Sequence, residues 1–319
     1  MAHIMLRIGT RGSPLALWQA EHIAALLAKM HPGLFCELVI IKTKGDKILD
    51  VPLAKVGGKG LFIKEIENAL LDGSVDLAVH SMKDVPAEIP RKLVMAAIPK
   101  REDPRDVLVS RRGGSIASLP RGARVGTSSL RRASQVMRLV PDAVICPLRG
   151  NVGTRLEKLE SENLDAILLA AAGIKRLGLA DRVSQYLDPD SFLPAVGQGA
   201  LGIEVRKDDS KTLELVAPLN DPETALVVEG ERALLHTLGG SCQIPVAGYG
   251  FVKDKRFFLS GMVASTSGSP FIKESMTGLP ENARQIGKTL ANRLLEKGGR
   301  KILEELLAWG FGLPLFFGF

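Results

Sequence analysis

Seven arginines lie between Arg121 and Arg155, with no lysine and a single acid, Asp142, in the same stretch. Arginine without lysine points to planar, bidentate recognition of carboxylate or phosphate. Their placement sharpens that reading. Gly126-Thr127-Ser128-Ser129 is a turn whose hydroxyls suit a helix N-cap, so Arg131 and Arg132 fall in the first helical turn. The helix dipole is positive there and favours anions by roughly 0.3–1 kcal/mol. Two cations at that end therefore imply an absent anionic partner, held by backbone N–H groups, hydroxyls and guanidinium forks together. Arg149 follows a strand over Ala143 to Leu148, and Arg155 comes six residues later. Any one of these arginines can belong to a solvated basic face; the set, at strand ends and a helix start, favours an anion site.

A second group of reactive types follows the buried strand Val75 to Val79, in His80-Ser81-Met82-Lys83-Asp84-Val85-Pro86. In open α/β sheets the ligand crevice lies outside the carboxyl ends of the strands, so Lys83 and Asp84 are expected to face it. An aspartate before Val-Pro is commonly a turn former. Asp84, however, is an isolated acid among Lys83, Lys59, Arg11 and the arginines above. Such a carboxylate stays ionised and can meet N–H or cationic groups of a substrate whose other end is acidic. Lys55 and Lys59 sit beside glycines in the long loop Lys42 to Gly60, which is either functional or an exposed flexible connection. Cys242 lies in a loop, Gly239-Gly240-Ser241-Cys242-Gln243-Ile244-Pro245, where basic neighbours would lower its pKa. None of the five histidines has a supporting motif, so covalent attachment suits Cys242 better than Cys–His catalysis. Cys36 and Cys146 fall within apolar strands and read as core thiols.

Two modules must position these groups. Residues 5–9 read as a strand, Ser13 as an N-cap with Pro14 at the first helical position, and Phe35 to Ile41 as the next strand. Gly126-Thr127 opens the same order of elements again. Leu93 to Ile98 is another strand, Pro99 to Pro104 a crossover, and Val107 to Ser110 begins the second module, which runs through a helix near Leu156 and a strand from Asp165 to Ala172, leaving Arg176 at a strand end. Leu193 to Gly199 is a second crossing, after which residues 200–206 return to the first sheet. The expected fold is α/β: two domains of the type-II periplasmic-binding-protein kind, 1–99 with 200–217 and 100–199, forming a hinged cleft. A small α+β domain, 218–319, follows, with strands at Phe257 to Val263 and Phe271 to Met276 and helices at Glu223 to Leu238 and Glu281 to Lys297.

Composition narrows the function. With 42 Lys and Arg against 35 Asp and Glu, the formal net charge is +7, which implies an acidic partner. Only 5% of residues are aromatic, so a base-stacking platform for nucleic acid is poorly supplied. No zinc spacing, P-loop or complete G-x-G-x-x-G is present, and no apolar run reaches the ~18 residues of a membrane span. Three cysteines without paired spacing, and a start without a signal core, suit a reduced cytoplasm.

Seven phrases then carry a resemblance: Thr10-Arg11-x-Ser13-Pro14-Leu15-Ala16-Leu17, Gly58-Lys59-Gly60-Leu61-Phe62, His80-Ser81-x-Lys83-Asp84-Val85-Pro86, Gly126-Thr127-Ser128-Ser129-Leu130-Arg131-Arg132, Arg149-Gly150-Asn151-x-x-Thr154-Arg155, Gly197-Gln198-Gly199 and Gly239-Gly240-Ser241-Cys242. In this order, over nearly the whole length, the chain resembles the porphobilinogen deaminase (hydroxymethylbilane synthase) family. The apolar end from Ala308 departs from the family's ending. The resemblance implies an active site between the first two domains and a dipyrromethane cofactor joined by a thioether to Cys242. It also implies stepwise addition of porphobilinogen with loss of ammonia, and release of the linear tetrapyrrole. By the same carry-over Asp84 is the catalytic carboxylate, bonding pyrrole N–H groups and stabilising a cationic azafulvene-like species. The residues implied for cofactor and substrate carboxylates are Arg11, Ser13, Lys55, Lys59, Ser81, Lys83, Thr127, Ser128, Ser129, Arg131, Arg132, Arg149, Gly150, Arg155, Arg176 and Gln198. Each pyrrole carries an acetate and a propionate, and at ~1.5–3 kcal/mol per hydrogen bond to a charged group a few pairs hold an intermediate. No metal, nucleic acid or membrane is implied as a partner, and the expected state is a cytoplasmic monomer. The rival expectations are a non-catalytic polyanion-binding cleft and a nucleic-acid-binding protein.

Overall fold

Alternate residues of Ile4–Thr10 (β1) bury Leu6 and Ile8, which starts a sheet rather than a helix. Ser13 then accepts from the Ala16 amide, and Pro14 opens a helix, Pro14–Met30, whose Ala20, Ile23 and Leu27 share the face that covers the sheet. Leu34–Ile40 (β2) returns parallel to β1, with Ile4 beside Leu34 and Thr10 beside Ile40. The computed structural model describes residues 4–47, 63–239 and 244–308.

Leu77–Ser81 (β3) adds to the other side of β1 in parallel, and Leu93–Ala97 (β4) forms the far edge. The second module repeats this plan with Asp106–Ser110 (β5), Arg124–Gly126 (β6), Val144–Cys146 (β7), Ala166–Ala170 (β8) and Gln185–Tyr186 (β9). Its order is β7-β6-β8-β5-β9. Leu201–Arg206 (β10) enters the first sheet between β3 and β4, giving β2-β1-β3-β10-β4. In each sheet the strand next to the outer edge runs antiparallel to its neighbours and belongs to the segment that crosses between the modules. The short phrase repeated in the sequence therefore marks a repeated topology.

The two crossings lie against each other. The Glu102 amide donates to the Gly199 carbonyl at 3.3 Å, and a Cβ at Gly199, whose φ is +88°, would run into the Glu102 carbonyl. Only glycine meets both demands there. Beyond β10 an antiparallel meander, Val246–Lys253 (β11), Arg256–Ala264 (β12) and Phe271–Gly278 (β13), packs on the helices Pro222–Thr237 and Ala283–Leu294 around Leu234, Phe257, Leu290 and Leu294.

Two local expectations need correction. The strand expected through Ala172 ends at Ala170, and Ala171–Arg176 is a helix, so Arg176 closes a helix and not a strand. Small residues allow this turn to approach the first module, where Gly173 faces Leu15. Sequence reading missed the two-residue β9 and, among the longer strands, β11. Its Gly248 and Gly250 weaken the strand signal, but they lie where Leu234 and Phe257 press closest, leaving no room for a side chain. Cys36 and Cys146 are half-buried rather than core, and burial pushes both thiols up, away from reactivity.

Candidate functional site

The carboxyl ends of the parallel strands of both sheets carry the expected residues: Arg11 after β1, Lys83 and Asp84 after β3, Thr127 to Ser129 after β6, and Arg149 after β7. A one-turn 3₁₀ segment, Met82–Asp84, ends β3. Its Met82 side chain is buried and its amide donates to the Ala200 carbonyl of the second crossing at 3.0 Å. That anchoring turns Asp84 outward, exposed, with Lys83 half-buried beside it.

Charge brings the two modules together here. Burial pushes Lys83 down to about 8, with Asp84 opposing and the Arg132 cation reinforcing the shift. Burial likewise pushes Arg155 down to about 10, reinforced by Arg132 and Arg149 and opposed by Asp84. Asp84 thus acts on Lys83 of its own module and on Arg132 and Arg155 of the other. Cations that lose proton affinity because they are crowded and desolvated are primed for incoming carboxylates. The donor set of guanidinium, ammonium and hydroxyl groups around one exposed carboxylate fits a ligand bearing several acids and some N–H groups.

The anion implied by the helix start at Arg131 and Arg132 turns out to be internal. Asp106, the first residue of β5, lies between the two buried guanidiniums. Arg131 Nη1 donates to it at 2.6 Å and Arg132 Nε at 2.9 Å. Arg131 gives its other donor direction to the Leu193 carbonyl at 2.7 Å, and Arg132 Nη1 donates to the Leu168 carbonyl at 3.0 Å. Burial alone would raise the Asp106 carboxyl, but Arg131 and Arg132 outweigh it and hold it well below its ordinary range. The two arginines are therefore first of all structural, and the cluster still carries one net positive charge. Asp106 lies outside the arginine stretch, which is why counting acids within that stretch missed it. An acid opening an otherwise apolar strand, Asp-Val-Leu-Val-Ser, was the available signal.

Other expected residues divide by what their polar atoms already do. Gln198 is buried, and its Nε2 donates to the Pro104 carbonyl at 2.7 Å and to Asp106 at 3.1 Å, so its amide nitrogen ties the second crossing to the start of β5. Ser128 donates to the Leu148 carbonyl and accepts from the Leu148 amide, both at 3.0 Å, which leaves its hydroxyl proton engaged. Ser129 accepts from the Arg132 amide and Thr127 from the Ser129 amide, so each can still donate a hydroxyl proton. Ser13 has the same freedom as the cap of its helix. Ser81 exchanges hydrogen bonds with Gln19. Gly150 has φ +118°, and a Cβ there would meet Thr154 at 2.7 Å, so its role is backbone shape; its carbonyl accepts from Arg155 Nε at 2.8 Å. Burial lowers Arg149 and takes Arg176 to about 10. Arg176 donates to the Gly199 carbonyl at 2.8 Å and lies over Trp18. Arg11 is half-buried at the end of β1. Lys55, Lys59 and Cys242 lie outside the described residues. Among the described residues no group of three metal-binding side chains occurs, and no helix is long and apolar enough to cross a membrane.

Comparison with known proteins identifies the family. The family model "Porphobilinogen deaminase, dipyromethane cofactor binding domain" matches residues 6–214, and "Porphobilinogen deaminase, C-terminal domain" matches residues 225–296. The porphobilinogen deaminase of Syntrophobacter fumaroxidans is 58% identical over 306 residues, covering 96% of this chain and 99% of that protein. That of Syntrophotalea carbinolica is 56% identical, covering 96% and 97%. Among solved structures, the methionine-binding protein MetQ aligns with a TM-score of 0.43 at 13% identity, covering 72% of this chain and 94% of that one.

Proposed function

Since the chain belongs to the porphobilinogen deaminase family, we propose that Asp84 is its catalytic carboxylate and Cys242 the attachment point of its dipyrromethane. The enzyme is a transferase that condenses four porphobilinogen molecules, with loss of ammonia, into the linear tetrapyrrole hydroxymethylbilane. When bound, the dipyrromethane supplies the pyrrole end to which the first substrate is joined.

The observation that carries the site assignment is the exposed Asp84 carboxylate at the carboxyl end of β3, whose charge acts on Lys83 beside it and on Arg132 and Arg155 of the other module. Lys83, Arg11, Arg149, Arg155 and Arg176 bind acetate and propionate groups, with the hydroxyls of Ser13, Thr127 and Ser129 donating alongside. Arg131 and Arg132 set the shape of that wall through Asp106, and Arg132 adds charge. Asp84 accepts from pyrrole N–H groups and offsets positive charge as ammonia departs. Residues 1–99 with 200–217, 100–199 and 218–319 act as the three domains of this machine. The reading has the enzyme working as a cytoplasmic monomer on a small-molecule substrate, with neither nucleic acid nor membrane as partner.

The first test is intact mass. Protein produced with porphobilinogen available carries an excess equal to two condensed substrate units, and Cys242→Ala protein lacks it. An unmodified mass in the unmutated protein would return the polyanion-binding cleft to first place. A second test uses pH. Lys83 loses its charge near pH 8 in the folded chain, against 10.5 for an ordinary lysine. The KM for porphobilinogen therefore rises as pH passes through about 8, and Lys83→Met enzyme lacks that step. In the cofactor-free protein the same shift makes stability rise between about 8 and 10.5, because only the unfolded chain still binds the proton there.

A further inference from the structure

The helix Pro222–Thr237 packs with the third sheet, yet one of its side chains reaches back to the turn that carries Asp84. Arg232 Nη1 donates to the Val85 carbonyl at 3.2 Å, and Nη2 donates to the Pro86 and Ala87 carbonyls at 2.7 and 3.2 Å. These are the three residues directly after Asp84. Val228, one turn earlier on the same helix face, is buried against Met82, Val85 and Ala200. The turn is thus gripped twice by one helix, once by packing and once by hydrogen bonds. Among the described residues the Arg232 guanidinium has no carboxylate within ion-pair distance. Burial lowers its proton affinity, with the Glu204 charge opposing. A desolvated cation without an acid beside it is costly, so three main-chain carbonyls are an expensive choice of partner unless their position matters. Beside these contacts lies an open pocket of about 360 Å³, lined among others by Met82, Ala87, Val228, Glu229, Arg232 and Lys288.

We propose that Arg232 is a positioning residue for the reaction: by fixing the carbonyls of residues 85–87 it sets the direction in which Asp84 points into the cleft. The same helix leads, ten residues after Arg232, to Cys242. The segment that bears the cofactor attachment thereby also sets the catalytic carboxylate. The inference rests on the reading of Asp84 given above.

The test compares Arg232→Ala, Arg232→Lys and Asp84→Ala holoenzymes. Arg232→Ala carries the full cofactor mass and keeps its KM within a factor of about two, while kcat falls on the order of 10²-fold. Arg232→Lys, a point charge without the planar fork, keeps an intermediate rate. Methylguanidinium, admitted by the adjoining cavity, restores much of the lost kcat in Arg232→Ala. Tetramethylammonium, a cation without N–H donors, does not. Independently of activity, hydrogen exchange over residues 82–89 is faster in Arg232→Ala and slows again with methylguanidinium. A wild-type kcat with unchanged exchange overturns the proposal, and so does a loss of rate that methylguanidinium leaves untouched while exchange stays wild-type. If Arg232→Ala fails to assemble with its cofactor, Arg232→Lys decides, and a wild-type kcat there overturns the proposal. An active Asp84→Ala enzyme would instead remove the assignment of Asp84. An inactive one beside an unimpaired Arg232→Ala would remove the clamp alone.

Discussion

Asp84→Ala enzyme keeps its covalent primer and its KM for porphobilinogen, yet turns over on the order of 10³-fold more slowly. The expectation follows from where the carboxylate stands. It ends a 3₁₀ turn, is exposed, and makes no hydrogen bond among the described residues, so removing it costs the fold little. Its charge is felt by Lys83, Arg132 and Arg155, which would remain to hold substrate carboxylates in its absence. Binding and turnover should therefore separate. Asp84→Asn divides the role further, because the carboxamide oxygen still accepts from an N–H group while the charge is gone. If charge offset is what Asp84 supplies, Asn is nearly as slow as Ala; if acceptance alone suffices, Asn approaches the native rate. Single-turnover kinetics on protein whose primer has been verified by mass reads both. A near-native rate in Asp84→Ala would end its assignment as the catalytic group.

Removing Asp106 has the opposite signature, a loss of the protein before a loss of chemistry. In Asp106→Ala two buried guanidiniums are left facing each other without their common anion, and breaking such a pair from one side costs about 3–5 kcal/mol. Against total stabilities of ~5–15 kcal/mol that is a third or more of the whole in most cases. The midpoint of chemical denaturation drops sharply, and the primer does not assemble because the wall that receives it has lost its shape. Asp106→Asn behaves similarly, since the amide restores size but not charge and places a donor against guanidinium donors. Gln198, which donates to Asp106 across the crossings, would lose an acceptor as well. The same geometry sets an acid limit. The folded carboxyl lies well below the ordinary 3.8, so its contribution is fully present above that value. It is lost as pH falls through the lower, folded value. A native denaturation midpoint in Asp106→Asn would show that the triad is dispensable.

Much of this protein is legible in the chain because its signals are local. Ser13 with Pro14 announces a helix wherever it stands, and alternating burial in β1 needs only its own residues. The repeated Gly-Thr turn before each helix was enough to announce two like modules, whose sheets share one strand order. The turn at Lys83-Asp84 follows from a buried strand ending in polar residues. What the chain could not announce is how side chains from distant strands divide the charges among themselves. Arg131 and Arg132 look alike to Arg155 in sequence, yet the first two share the Asp106 carboxylate of β5, while Arg155 donates to the Gly150 carbonyl and has no such acid against it among the described residues. Ser128 and Ser129 are neighbours with the same hydroxyl, but one is latched to Leu148 and the other caps a helix.

By itself, then, the sequence determined the elements, the doubling of the module, the excess of cations and the isolation of Asp84, since each depends on residues a few positions apart. Only the tertiary structure decided which of those cations are held by an internal carboxylate and which are not. Burial and a partner more than twenty residues away set the cost of each charge, and neither can be read from spacing along the chain.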